Sequence, residues 1–302
     1  WDKILNINEC HIQTEIANEI LQSIKELSSG IEPYNIREHT GFLRHVMIRV
    51  AANTNEIMVN IVTSRDDPEL LSPISDTLIT KFPSITSIVN NITTRKAGVS
   101  MGEHQIVLHG NEYMLEKLGD YEFMISADSF FQTNTRQAEK LYDIILEESE
   151  LTGSEIVYDL FCGTGSISLF LSKHAKMVYG FELVMSAVQD AMQNAIHNKV
   201  KNAWFFGGNL ENLFHKNSEA KELEHPDVVV VDPPRAGLHT KTIEDILEKS
   251  PKRIVYVSCN PASQARDVAL LCNEKYELKK LRPVDMFPHT PHVENVATLI
   301  LK

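Results

Sequence analysis

The run Ile156-Val157-Tyr158-Asp159-Leu160-Phe161-Cys162-Gly163-Thr164-Gly165-Ser166 decides how the rest of the chain is read. An apolar stretch meets two glycines one residue apart, and a helical pattern follows through Lys173. That is a strand, a tight turn and a helix. Glycine, having no Cβ, lets a backbone turn sharply and approach a ligand closely. The next apolar strand, Met177–Phe181, ends at Glu182, about 20 residues on, where a carboxylate can accept hydrogen bonds from both hydroxyls of a ribose. A third, Trp204–Phe206, precedes Asn209, whose amide suits an adenine edge. Polar groups at three successive strand ends form one rim, the place where open α/β sheets hold ligands. The rim predicts a nucleoside-bearing cofactor. A nicotinamide dinucleotide is the main rival, and the absent third glycine of G-x-G-x-x-G counts against it.

Outward from this run, strand, loop and helix keep repeating. Asn134 and Thr135 offer a helix cap, and Ala138, Leu141, Tyr142 and Ile145 then form one apolar face. A helix is expected over 186–198, and Val228–Val231 and Ile254–Val257 are short apolar strands. Unbroken apolar strands suit a parallel sheet covered on both faces, so the expectation is a doubly wound, mostly parallel α/β fold. Two late strand candidates, Leu278–Val284 and Val296–Leu301, flank a Pro- and His-rich loop and predict an antiparallel hairpin. Before residue 128 the pattern is mixed. A helix is expected over 12–27, from Ile12, Ile16, Ile20 and Ile24, and another over 68–82. Strands are expected at Leu43–Ala51, Glu56–Thr63, Ser84–Asn90 and Tyr121–Ile125. We therefore expect a smaller α+β domain over 1–128 and an α/β domain over 129–302.

Bulk properties narrow the classes. The chain has 302 residues and a formal net charge of −12, which counts mildly against a polyanionic partner unless a local basic patch meets it. Arg37, Arg44, Arg49, Arg95 and Lys96 are candidates for that patch. Cys10, Cys162, Cys259 and Cys272 are scattered, with neither metal-ligand spacing nor a disulfide framework. No apolar run is long enough to span a bilayer and no leader pattern opens the chain, so a soluble cytoplasmic protein with no membrane partner is expected, a monomer by default. The chain begins at Trp1 rather than Met, which suggests a trimmed chain.

Two further strand ends carry chemistry. Asp232-Pro233-Pro234-Arg235-Ala236-Gly237 is stiffened by two prolines and would hold Asp232 over the cofactor. Ser258-Cys259-Asn260-Pro261 sets a thiol at a strand end just before a helix, a setting that favours a reactive thiolate. In the late loop, Pro288-His289-Thr290-Pro291-His292-Val293-Glu294-Asn295 offers Glu294 as a general base. His289 and His292 lack further ligand partners, so no metal is expected. A thiolate adding to carbon 6 of a uracil makes carbon 5 nucleophilic, and a base must afterwards remove the carbon 5 proton so that the thiolate can leave. A base treated in this way must first leave its stack.

These motifs, with Phe130-Phe131-Gln132-Thr133-Asn134, Phe181-Glu182, Asn209-Leu210-Glu211-Asn212 and His292-Val293-Glu294, run in order over 128–302. In that order the chain resembles the RNA 5-methyluridine methyltransferases that act on ribosomal and transfer RNA. Gly41-Phe42-Leu43-Arg44-His45 and the strand after it look like that family's central domain. The resemblance implies a Rossmann-like class I methyltransferase domain using S-adenosylmethionine, with Cys259 as nucleophile and Glu294 as base. It implies cofactor contacts at Gln132, Phe161, Ser166, Glu182, Asn209 and Asp232, and Phe130 lining the uracil pocket. Ser166 is often Asn in relatives. RNA is the implied partner, ribosomal RNA being favoured over transfer RNA. The small β-barrel RNA-binding domain of many members has no counterpart here. Nor do the four grouped cysteines that hold an iron–sulfur cluster in some, so no cluster is expected. Two alternatives remain. A cytosine-5 RNA methyltransferase would put its thiol at Pro234-Arg235, and a catalytically silent binding protein would not need Cys259 and Glu294.

Overall fold

The computed structural model describes residues 6–96, 102–208 and 222–302. Contacts divide the chain into two compact units, Trp1–Glu116 with Met124–Asp128, and Lys117–Phe123 with Ser129–Lys302. The segment 117–123 thus goes with the second unit although it precedes residue 128.

In the first unit, helix α1 (Glu15–Leu27) starts where the Thr14 hydroxyl accepts the Ala17 N–H. Ile20 and Ile24 are buried, whereas Ile12 lies outside the helix and is 65% exposed. The cap at Thr14 overrode the fourfold isoleucine spacing, because an N-cap side chain satisfies amides that the spacing alone leaves open. Strands β1 (Leu43–Val50), β2 (Ile57–Thr63), β3 (Ile85–Ile92) and β4 (His104–Gly110) form one sheet in sequence order. Helix α2 (Pro68–Lys81) lies between β2 and β3, with Pro68 in its first turn. It makes β2 and β3 a parallel pair by crossover. Ile57, Val59 and Ile61 from alternate positions of β2 join Ile20, Ile24, Leu71, Ile74 and Leu78 in one core. β4 was not anticipated. Neither was β5 (Tyr113–Leu118), which pairs with β6 (Tyr121–Ser126).

The second unit is a seven-stranded sheet. After α3 (Thr135–Ser149) come β7 (Ile156–Leu160), α4 (Ser166–Ser172), β8 (Met177–Glu182), α5 (Met185–His197) and β9 (Ala203–Gly207). Then follow β10 (Val228–Val231), α6 (Thr240–Lys249), β11 (Arg253–Ser258), α7 (Pro261–Glu274), β12 (Tyr276–Val284) and β13 (Glu294–Leu301). The spatial order is β12-β13-β11-β10-β7-β8-β9. β7 to β11 run parallel, while β13 is antiparallel to both β11 and β12. This is the doubly wound, mostly parallel fold with a late hairpin. Val228–Val231 is buried on both faces between β7 and β11, as its unbroken valines require. Each such side chain contributes about 1.5–3 kcal/mol on burial. The chain leaves β7 towards β9 on one side and returns to β10 on the other. That reversal opens a crevice beyond the carboxyl ends of β7 and β10.

Candidate active site

Loops that follow β7, β8, β10 and β11 supply the site, all within the second unit. At the end of β7, Phe161 adopts φ +67, a left-handed conformation costly for an aromatic residue. Its N–H and that of Cys162 both donate to the Phe181 carbonyl, at 2.9 and 3.1 Å. The two bonds hold the strained turn against β8. Gly163 (φ +54) has nothing within 4 Å of where a Cβ would stand, so the loop presents open backbone there. Gly165 (φ +81) is the opposite case: a Cβ would meet the Phe205 ring at 2.9 Å. Ser166 opens α4 and shares a 2.8 Å hydrogen bond with the Tyr142 hydroxyl. Glu182 accepts from the Gly163 N–H (3.1 Å), the Leu183 N–H (2.8 Å) and the Val184 N–H (2.9 Å). These three bonds aim its carboxylate across the β7 turn. Asn209 lies outside the described residues.

Three carboxylates converge on this rim. Asp159 is fully buried. Its Oδ2 accepts from the Ser168 hydroxyl at 2.6 Å, and its Oδ1 has no partner. Burial, with smaller contributions from Asp232 and Glu182, pushes Asp159 up to about 7. Burial also pushes Asp232 up to about 6. A buried orphan oxygen on a carboxylate that burial and neighbouring carboxylates push towards its neutral form is suited to a cationic ligand. The sulfonium and ammonium charges expected of S-adenosylmethionine fit that environment, and the open space over Gly163 fits its close approach. Gln132, 9% exposed, lies just before α3, where the Asn134 side chain accepts the Gln137 N–H and donates to the Met286 carbonyl at 3.0 Å. The two neighbouring phenylalanines part company. Phe131 is buried with its ring 5.5 Å from that of Phe123, whereas Phe130 is 71% exposed.

The pairing of β11 with β13 brings a thiol and a carboxylate to the same end of the sheet. β11 and β13 pair from Arg253 opposite Ile300 to Ser258 opposite Asn295. One step further along the same register stand Cys259 and Glu294. The sequence pattern puts Glu294 in the late loop. It is instead the first residue of β13, paired with Val284 and 6% exposed. Burial, then the Asp232 charge, push it up to about 7, with Arg235 opposing. Cys259 is half-buried; burial and the Glu294 carboxylate raise its thiol, while the Arg235 guanidinium, hydrogen-bonded to it, pulls the other way.

Arg235 is the residue whose role the sequence did not assign. Its backbone carbonyl accepts from Asn260 Nδ2 (2.9 Å) and the Ser263 hydroxyl (3.0 Å), and its guanidinium reaches His292 Nδ1 (3.3 Å). The loop after β10 is also fastened to α7 at Asp267, which is fully buried. Asp267 Oδ2 accepts from the Leu238 N–H (2.7 Å) and the Tyr256 hydroxyl (2.6 Å). No local pattern marks Asp267, because its partners lie 29 and 11 residues away. Two of the arginines expected in a basic patch serve the fold of the first unit. Arg44 stacks over Tyr34 and donates to the carbonyls of Thr93 and Arg95, and Arg49 donates to the Ala127 carbonyl. Among the described residues no helix is long and apolar enough to cross a membrane.

Comparison with known proteins agrees with the fold. The family described as tRNA (uracil-5-)-methyltransferase matches residues 99–302. An RNA methyltransferase of Chlorobaculum tepidum is 44% identical over 98% of this chain and 62% of its own length. One of Porphyromonas gingivalis is 43% identical over 99% of this chain and 65% of its own. The chain thus spans slightly less than two thirds of either relative. Among solved structures, the Pyrococcus abyssi tRNA (uracil-54, C5)-methyltransferase in complex with S-adenosyl-L-homocysteine superimposes with a TM-score of 0.80 at 35% identity. That match covers 99% of this chain and 71% of that one. With a doubly wound sheet, a glycine turn facing three carboxylates and a family match over two thirds of its length, the chain belongs to the tRNA (uracil-5-)-methyltransferase family.

Proposed function

We propose that the protein transfers a methyl group from S-adenosylmethionine to carbon 5 of a uridine in RNA, with Cys259 as nucleophile and Glu294 as base. The observation that supports this reading is that β11 and β13 pair as far as Ser258 opposite Asn295, and that Cys259, just past that end, is near enough to Glu294 for the carboxylate to raise its thiol. Gln132, Phe161, Ser166, Glu182 and Asp232 would hold the cofactor, as would Asn209. The Pyrococcus relative, described with S-adenosyl-L-homocysteine, supports that cofactor. When bound, S-adenosylmethionine supplies an electrophilic methyl group. The remaining chemistry belongs to the chain. Cys259, as thiolate, forms a bond to carbon 6 of the uracil, and the displaced electron pair makes carbon 5 nucleophilic. Arg235 offsets the charge of a thiolate that stands near two carboxylates, an arrangement otherwise opposed by their repulsion. After carbon 5 is methylated, Glu294 takes its proton. The C–H electron pair restores the 5,6 double bond, and sulfur leaves with the C–S pair. A carboxylate raised to about 7 is well matched to that step, since proton transfer is most efficient when the base's pKa lies near the working pH. Phe130, exposed in the free protein, offers a face for stacking the extruded base.

The target is RNA, by the family and by the relatives' names. The comparisons lend the preference for ribosomal RNA no support, since the family description and the Pyrococcus protein both name tRNA. Incubation with 5-fluorouridine-substituted transfer and ribosomal RNA tests the reading. A denaturation-resistant adduct should form with one of them and be lost in Cys259→Ala, which should still bind S-adenosylhomocysteine. An adduct that persists in Cys259→Ala removes the sulfur from its role. Adducts on 5-fluorocytidine RNA alone would move the protein to the cytosine-5 class.

A further inference from the structure

One buried side chain ties together the strands that carry the sulfur and the carboxylate. Gln264, in the first turns of α7, is 2% exposed. Its Nε2 donates to the Tyr256 carbonyl at 2.8 Å and to the Asn295 carbonyl at 3.0 Å. Its Oε1 accepts from Asn295 Nδ2 at 2.5 Å. Both amide hydrogens and the carbonyl oxygen are therefore engaged. Tyr256 is on β11, three residues before Cys259. Asn295 is on β13, next to Glu294. The bridge sits where the ladder stops, for β11 ends at Ser258 and β13 begins at Glu294. Strand ends are the part of a sheet most free to fray. A fully satisfied polar bridge buried at that point rigidifies it, and geometry so fixed would be lost with any one partner.

We infer that Gln264, with Asn295, is the positioning pair that sets the distance between the Cys259 sulfur and the Glu294 carboxylate. The inference rests on the covalent reading above and adds a specific consequence to it. Bond formation from sulfur to carbon 6 needs Cys259 alone. Removal of the carbon 5 proton needs Glu294 correctly placed against a base that Cys259 already holds. A loosened bridge should therefore slow elimination more than addition. A misplacement of roughly 1 Å can cost on the order of 100-fold in rate.

The test uses the full chain with Gln264→Leu, similar in size but unable to bridge, and Asn295→Ala, which removes one partner from a half-buried site. Two rates are read: adduct formation on 5-fluorouridine RNA, and tritium release from RNA carrying [5-³H]uridine. In both variants adduct formation should stay close to the unaltered rate while tritium release falls roughly 10- to 100-fold. Covalent RNA–protein complex should then accumulate on ordinary RNA. Unchanged tritium release in both variants overturns the inference, as does an equal fall in both rates, which a purely structural role would produce. Should Gln264→Leu fail to fold, Asn295→Ala carries the same comparison. If the unaltered protein forms no adduct, the covalent reading falls and the inference with it; an adduct in the unaltered protein with unchanged variants removes the positioning role alone.

Discussion

Glu294 is useful at the residue scale because its environment, not its identity, sets its chemistry. Burial and Asp232 raise it to about 7, so as the proposed base it would be poised close to neutrality. The form that would accept the proton is the carboxylate, and the rate of carbon 5 proton release in a single turnover should therefore rise with pH through about 7. In Glu294→Gln that limb should vanish and covalent RNA adduct should accumulate, since the carbon 5 proton has no acceptor. Normal turnover by the amide would remove Glu294 as base. Arg235→Ala should shift the thiol's ionisation further up and move the upper part of the pH profile with it, measured as kcat/KM against pH. Asp159 gives a prediction of the opposite kind. Its folded-state value of about 7 lies above its ordinary 3.8, so the fold favours the neutral acid. The stability this contributes is complete below about pH 4 and is lost as pH rises through 7. Asp159→Asn keeps the neutral shape at every pH. Above pH 7 it should be more stable than the unaltered protein by on the order of 2–4 kcal/mol, and the two should converge near pH 4. Denaturant melts across that range check it, and a stability gap independent of pH would contradict the assignment.

Among the elements, the turn after β7 separates two glycines that the sequence treats alike. Gly165→Ala would drive a Cβ to 2.9 Å from the Phe205 ring and 3.0 Å from the Ala191 side chain while holding φ at +81. The expected loss is about 2–4 kcal/mol, from strain and overpacking together. Gly163→Ala meets nothing within 4 Å and should cost only about 1 kcal/mol. Yet its methyl would stand in the space where the cofactor approaches, so weakened S-adenosylhomocysteine binding with nearly normal melting is the expected signature. Calorimetric titration beside a thermal melt distinguishes the two variants. The wider reading of elements followed the same physics. Ile156–Leu160 and Val228–Val231 were bounded from sequence to the residue, because a strand buried on both faces shows as an uninterrupted apolar run. β4, His-Gln-Ile-Val-Leu-His-Gly, was not seen. It is an edge strand, largely exposed, and its short apolar run gives no clear period. In the sequence Glu294 looks like a loop residue because prolines and histidines precede it. What makes it a strand residue is pairing with Val284 of β12, a non-local fact. Gln264 and Asp267 escaped for the same reason: on α7 they read as ordinary polar helix positions, and their partners belong to other elements.

For the whole molecule, charge decides how RNA can be met. A net charge of −12 repels a polyanion at long range, and this repulsion is screened beyond about 10 Å at 0.1 M salt. Attraction must then come from a few local cations. Of the five basic residues expected to form a patch, Arg44 and Arg49 are engaged by carbonyls of the first unit. Arg44→Ala should therefore register mainly as lost stability, about 1–3 kcal/mol, since it leaves the carbonyl of buried Thr93 unmet. Arg37 and Lys96 are exposed, and the Arg95 guanidinium makes a long 3.8 Å contact with Glu103, a pairing that costs little to exchange for phosphate. Three phosphate contacts limit the slope of log K against log salt to about −3 on duplex RNA and about −2 on single strands, taking the DNA increments. Anisotropy titrations of a target RNA fragment between 50 and 300 mM salt should stay within those limits, and neutralising Arg37, Arg95 and Lys96 together should flatten the slope towards zero. A slope twice as steep would mean that RNA is held by a basic surface other than this one, and the three substitutions would then leave it nearly unchanged.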